Sequence, residues 1–75
     1  MELSLNHLLP GQQACIIACT ACGELGCRLS GIGAVPGASV CCAGKNGNGQ
    51  VTMVQINGAC VRLQTRDLEK IRVRV

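Results

Sequence analysis

The sequence contains no aromatic side chain, since Phe, Tyr and Trp are all absent from its 75 residues. Proteins that bind single-stranded nucleic acids commonly stack the bases on aromatic rings, so this absence argues against a nucleic-acid partner. The core must be built from Val, Ile, Leu, Met, Ala and Cys. A chain of this length lies near the lower limit for a self-sufficient core. We therefore expect one domain over residues 1–75.

Long apolar runs are also missing. No stretch approaches the ~18 consecutive apolar residues that a transmembrane helix needs. The first residues include Glu2, Asn6 and His7, where a signal peptide would have a basic segment followed by an apolar one. We therefore expect a cytoplasmic protein that does not insert directly into a membrane.

Residues suited to catalysis are few. The chain has one histidine, His7, and four acidic residues. Nucleophilic catalysis requires a thiol or hydroxyl beside a positioned base and an orienting group, and the sequence offers no such set. We expect that the protein is not an enzyme and that His7 is a surface residue.

Short apolar segments and frequent glycines predict a mainly β fold. One predicted helix covers residues 24–30, where Leu25, Leu29 and Ile32 share a face. The predicted strands cover residues 14–19, 39–43, 51–56, 59–63 and 71–75. A helical turn over residues 65–70 precedes the last strand. Five short strands, with one helix after the first, predict a small closed barrel because closure removes exposed strand edges.

Five residues are assigned to structural turns. Gly33 follows the helix, where a left-handed residue commonly ends the hydrogen-bonded turns. Pro36 and Gly37 predict a type II turn in which Gly37 has positive φ. Asn57 and Gly58 separate two strands by two residues, which predicts a type I′ hairpin.

Seven cysteines are unusual for the cytoplasmic protein that we expect. Their odd number and the ordinary apolar content favour reduced thiols over a disulfide framework. The C-x-x-C of Cys19 and Cys22 lacks the second pair of a zinc site and the βαβ context of a redox motif. Alternation predicts that Cys42 faces inward, whereas Cys41 and Cys60 face outward.

Positive charge is concentrated near the C-terminus. Alternation along residues 71–75 places Arg72 and Arg74 on one face of the last strand. This face is either simply solvated or a basic patch that meets an acidic partner. The corner of Ala34, Val35 and Pro36 likewise has two readings, one purely architectural and the other a docking edge.

The order of these motifs resembles the ferrous iron transport protein A (FeoA) family from about Leu5 to Val75. The residues that carry the resemblance are Leu8-Leu9-Pro10-Gly11 before the run 14–19, Arg28-Leu29, Ile32-Gly33, Pro36-Gly37-Ala38-Ser39-Val40, Gly58-Ala59-Cys60-Val61-Arg62-Leu63 and Ile71-Arg72-Val73-Arg74-Val75. The resemblance implies an SH3-like version of the barrel. It also implies a small cytosolic accessory protein that docks on the cytosolic G domain, or an adjoining region, of the FeoB ferrous iron transporter and modulates it. No cofactor is required for that role, and the oligomeric state stays open.

Four cysteines depart from the family pattern. Cys15, Cys27, Cys41 and Cys60 occupy positions that are often polar in FeoA proteins. Thiolates favour soft metals, so these four residues are candidate ligands for Fe(II) or Zn(II). Two other interpretations of these four cysteines are open: they are single thiols scattered over the surface, or they contact an apolar surface of a partner. Two alternative functions follow, namely a thiol-based carrier of Fe(II) or Zn(II) and a metal-responsive regulatory module.

Overall fold

Six strands and two helices make up the fold in a computed structural model that describes Met1 to Val75. The elements are β1 (Glu2–Ser4), a 3-10 turn (Leu5–His7), β2 (Gln13–Cys19), α1 (Gly23–Gly31), β3 (Ser39–Lys45), β4 (Val51–Ile56), β5 (Ala59–Gln64), α2 (Thr65–Leu68) and β6 (Ile71–Arg74). The five predicted strands, the helix and the late helical turn are confirmed, and β1 is an additional strand.

All six strands form one antiparallel sheet in the order β1-β6-β2-β3-β4-β5. The mainly β architecture is confirmed, but the expected closure by strand pairing is wrong. β1 and β5 are the two edges of the sheet and do not pair with each other. The 3-10 turn follows β1 and α2 follows β5, and these two short elements contact one another across the gap. Leu5 of the 3-10 turn and Leu68 of α2 are both buried in the core, so burial of apolar side chains rather than strand pairing covers this gap.

The core is aliphatic and comes mainly from alternate positions of the strands. Its thirteen buried apolar residues are Leu5, Leu8, Ile16, Leu29, Ala34, Ala38, Val40, Cys42, Val54, Ile56, Leu68, Ile71 and Val73. Burying each large aliphatic side chain contributes about 1.5–3 kcal/mol. The inward direction predicted for Val40 and Cys42 is confirmed.

The direction of β2, which alternation alone left ambiguous, is decided by a β-bulge. Ile16 lies opposite Val73 on β6, whereas Cys19 lies opposite Ile71, and the register shifts between Ile16 and Ala18. The extra residue reverses the alternation, so Ile16 and Cys19 both pack against the core. By alternation the inward residues of this run are either Ala14, Ile16 and Ala18 or Cys15, Ile17 and Cys19, and each of these two predictions is therefore partly right.

The predicted turns are present. The Ala38 N–H donates to the Val35 carbonyl at 3.0 Å, and Gly37 has φ +93°, as a type II turn requires. Asn57 and Gly58 have φ values of +52° and +88°, which are the two positive values of a type I′ hairpin.

Candidate functional site

The outer face of β6 carries the two predicted arginines. In the register of the sheet, Arg74 lies between Glu2 of β1 and Cys15 of β2, and Arg72 lies between Ser4 and Ala18. Because Ile71 and Val73 fill the core, alternation turns both arginines to solvent. The sequence-based placement of Arg72 and Arg74 on one exposed face agrees with this geometry.

The two arginines differ in their partners. Arg74 Nη2 lies 3.0 Å from Glu2 Oε2 in the only salt bridge of the chain. This hydrogen bond from Arg74 lowers the pKa of the Glu2 carboxyl below its usual range. Arg72 Nη1 donates to the Ser4 hydroxyl at 3.3 Å and has no carboxylate partner. The face therefore carries one compensated and one uncompensated positive charge.

The corner after α1 offers less surface than the sequence suggested. Ala34 is only 2% exposed, and its N–H donates to the Leu29 carbonyl at 2.9 Å. The Ala34 side chain therefore offers almost no surface to a partner, because the chain folds back over the end of α1 and covers it. Val35, which is 40% exposed, and Pro36 remain accessible.

The candidate thiol ligands are spread over the surface. Cys15, Cys27 and Cys60 are exposed, Cys41 is half-buried, and no cysteine is in a disulfide. Cys41 and Cys60 lie on either side of Gln55 in adjacent strand pairs. No three His, Cys, Asp or Glu side chains lie close enough together to hold a metal ion. The fold therefore does not gather the four thiols into one preformed metal site.

A groove between α1 and β5 was not foreseen from the sequence. It has a volume of about 310 Å³ and is lined by Arg28, Leu29, Ile32, Val61, Arg62 and Leu63. The helix face of Leu29 and Ile32 and the alternation of Val61 and Leu63 were both visible in the sequence. Nothing in the sequence indicated that these two apolar rows would face each other.

Neither helix combines the length and the apolar character that a membrane crossing requires.

Comparisons with known proteins give one family and a consistent set of structures. The family model described as FeoA domain matches residues 3–75. No curated protein sequence matches this chain significantly.

Three solved structures show how the likeness is distributed. Iron(II) transport protein A from Clostridium thermocellum is 30% identical with a TM-score of 0.92, over 97% of this chain and 45% of that chain. This chain thus spans less than half of that protein's chain. FeoA from Chlorobium tepidum is 25% identical with a TM-score of 0.91, over 97% of this chain and 70% of that chain.

The third structure is FeoA from Stenotrophomonas maltophilia complexed with zinc, which is 20% identical with a TM-score of 0.84, over 96% of this chain and 89% of that chain. It is described as a prokaryotic SH3 domain protein and a candidate activating factor of ferrous iron transport. The SH3-like fold expected from the resemblance is confirmed.

Proposed function

Because this chain belongs to the FeoA domain family, we propose that it is an accessory protein of bacterial ferrous iron uptake that docks on the cytosolic part of the FeoB transporter. The observation that carries the proposal is the family match, which extends over residues 3–75. The 30% identity to an iron(II) transport protein A supports it. In this role the protein acts in the cytosol, as one small domain, without catalysis of its own.

Docking would act on the transporter through differential affinity. A partner that binds one conformational state of the transporter more tightly than another shifts the population toward that state. The exposed Arg72, together with Val35 and Pro36, offers a basic and a small apolar contact surface. Charge at such a surface mainly changes the association rate and its dependence on salt.

Titration calorimetry with the transporter's isolated G domain tests the proposal. We expect saturable binding that weakens as ionic strength rises, because surface charges are screened within about 10 Å at 0.1 M salt. Replacing Arg72 and Arg74 together with glutamate should weaken binding at low salt without unfolding the protein. Arg66→Glu, on α2, is a control at a different site. Absence of binding by the unmodified chain, at low salt and with either nucleotide state, would refute the docking role.

A second candidate function is binding of Fe(II) or Zn(II) through thiols, in a carrier or a metal-responsive module. The zinc complex of the Stenotrophomonas maltophilia protein favours it. Since no three candidate ligands lie together in one chain, binding would require rearrangement or thiols from two copies. The thiols concerned are Cys15, Cys27, Cys41 and Cys60.

Oxygen-free titration with Fe(II) and Zn(II), combined with counting of reactive thiols, separates these functions. A carrier would take up metal stoichiometrically and lose it on Cys-to-Ser substitution at those four positions. A regulatory module would bind the transporter domain in only one metal state. An accessory protein that acts by docking alone would bind that domain equally well with and without metal.

A further inference from the structure

β5 has a free edge along its whole length. It pairs only with β4, and the sheet ends there. In the two-residue hairpin at Asn57 and Gly58, the flanking residues Ile56 and Ala59 form the first hydrogen-bonded pair. Hydrogen-bonded pairs alternate along an antiparallel ladder, so Ala59, Val61 and Leu63 bond to β4.

The intervening residues of β5 are Cys60, Arg62 and Gln64, and their backbone N–H and C=O groups point away from the sheet. The Gln64 carbonyl accepts from the first turn of α2, for which Gln64 is the N-cap. The other groups of these three residues have no partner among the backbone hydrogen bonds that lie outside the helices and the strand ladders. A row of unpaired backbone groups of this kind is a template for an additional strand.

The apolar groove lies directly beside this edge. Val61 and Leu63 are half-buried and pack against the core from one side, while Leu29 of α1 and Ile32, which directly follows α1, form the opposite wall. In an added strand, every second side chain would point toward this wall, because side chains alternate between the two faces of a sheet. The groove thus provides room for apolar side chains at alternate positions of an extended segment.

Two unpaired guanidinium groups flank the groove. Arg28 lies on α1 and Arg62 on the outer face of β5, and both are exposed. Neither has a carboxylate within salt-bridge distance, since the only salt bridge of the chain joins Arg74 to Glu2. The electrostatic complement of this rim is a segment that carries acidic side chains.

We propose that the β5 edge accepts an extended acidic segment of a partner protein as a seventh strand, with alternate apolar side chains of that segment packed in the α1–β5 groove. This inference rests on the proposed docking function and adds the β5 edge as a second contact surface, separate from Arg72 on β6. Main-chain hydrogen bonds to Cys60, Arg62 and Gln64 supply affinity, and the groove and the two arginines supply selectivity.

A second copy of this chain is a poorer occupant of the same edge. In a symmetric β5–β5 pair, Arg62 of each copy would approach the Arg62 of the other, and like charges on neighbouring strands are destabilising. The net charge of +3 adds to this repulsion. Charge therefore selects an acidic partner over self-association.

The test uses a capped heptapeptide of alternating Glu and Val, with two controls. One control is the same peptide with Lys in place of Glu, and the other has the same composition with the Val residues contiguous. Backbone amide resonances and amide hydrogen exchange of the full chain are followed during titration. We expect the Glu–Val peptide to protect the amides of Cys60, Arg62 and Gln64, which are exposed to solvent at the free edge.

The alternation of this protection is the signature of strand addition, because a side-chain contact alone would not select every second amide. Arg62→Glu should weaken peptide binding about tenfold, as the loss of one attraction and the gain of one repulsion suggest. Lys70→Glu is the matched control, since it changes the net charge equally but lies beside Thr20 at the end of β2 rather than on β5. It should leave peptide affinity nearly unchanged.

Three outcomes would overturn the inference: no binding of the Glu–Val peptide, protection at amides outside β5, or equal affinity of unmodified protein and Arg62→Glu. The proposed function is judged separately with the transporter's G domain. If that domain binds and Arg62→Glu has no effect, the docking role stands but β5 is not its surface. If that domain does not bind while the peptide protects β5, the edge is a recognition site and its partner is another protein.

Discussion

Replacing Gly37 by valine tests whether the turn at residues 35–38 depends on a backbone conformation that only glycine adopts easily. Gly37 has φ +93°, and the Gly37 N–H donates to the Ile16 carbonyl at 2.7 Å. The turn therefore fixes the path by which the chain returns from α1 to β3. An added Cβ would meet no atom within 4 Å, so steric overlap with the rest of the protein contributes nothing.

The magnitude then comes from backbone strain alone. An L residue in the left-handed region costs about 1–2 kcal/mol, and a β-branched residue at this φ costs about 2–3 kcal/mol. Loss of glycine also reduces the entropy of the unfolded chain, which returns about 0.4–1 kcal/mol. The net destabilisation is about 2 kcal/mol. That is a large part of the roughly 4–11 kcal/mol expected for a chain of 75 residues.

Thermal unfolding followed by circular dichroism measures this effect. At about 4–8 °C per kcal/mol for a domain of this size, Gly37→Val should lower Tm by about 8–16 °C. Gly37→Asn should be milder, because asparagine tolerates the left-handed region better than other residues. Gly31→Ala is the matched control, because Gly31 ends α1 with open space around it and without positive φ. It should leave stability unchanged or raise it by up to about 1 kcal/mol. A Tm for Gly37→Val equal to that of the unmodified protein would refute the assignment of the turn.

Three further measurements address the surface, the buried polar group and the core. Arg74→Ala should raise the pKa of Glu2 toward its usual range in an NMR titration. Because Arg74 lowers that pKa in the folded state, the contribution of this ion pair to stability is present at pH values above the usual pKa of a glutamate. It is lost as the pH falls through the pKa of Glu2 in the folded protein. Thr65→Ala should lower the free energy of unfolding by about 1–3 kcal/mol in urea, because it leaves the buried Thr52 hydroxyl without its partner at 2.8 Å. Adding Thr52→Val removes that unpaired hydroxyl and should restore much of the lost stability. Cys42, which is 2% exposed, should react with a thiol reagent only at the rate of unfolding, and fast reaction in the native protein would contradict its place in the core.

The candidate sites could be located only in part from the sequence. Arg72 and Arg74 were placed on one face because the period of a strand is two residues, and this local rule needs no knowledge of the neighbours. That Glu2 compensates Arg74 could not be foreseen, because these residues lie at opposite ends of the chain and meet only through the pairing of β1 with β6. The burial of Ala34 could not be foreseen, because it depends on how the chain folds back over the end of α1.

Local patterns alone determined the positions of β2 to β6 and of the two helices, the turn residues and the mainly β class of this protein. Alternation, helical spacing and the φ preferences of Gly37, Asn57 and Gly58 act over a few residues, so they can be read before any tertiary contact is known. Tertiary structure decided the rest: the bulge that reverses β2, the open edges of β1 and β5, and the groove where α1 faces β5. Each of these arises from contacts between segments far apart in the chain, and the packing of one segment on another is not encoded in the pattern of either segment by itself.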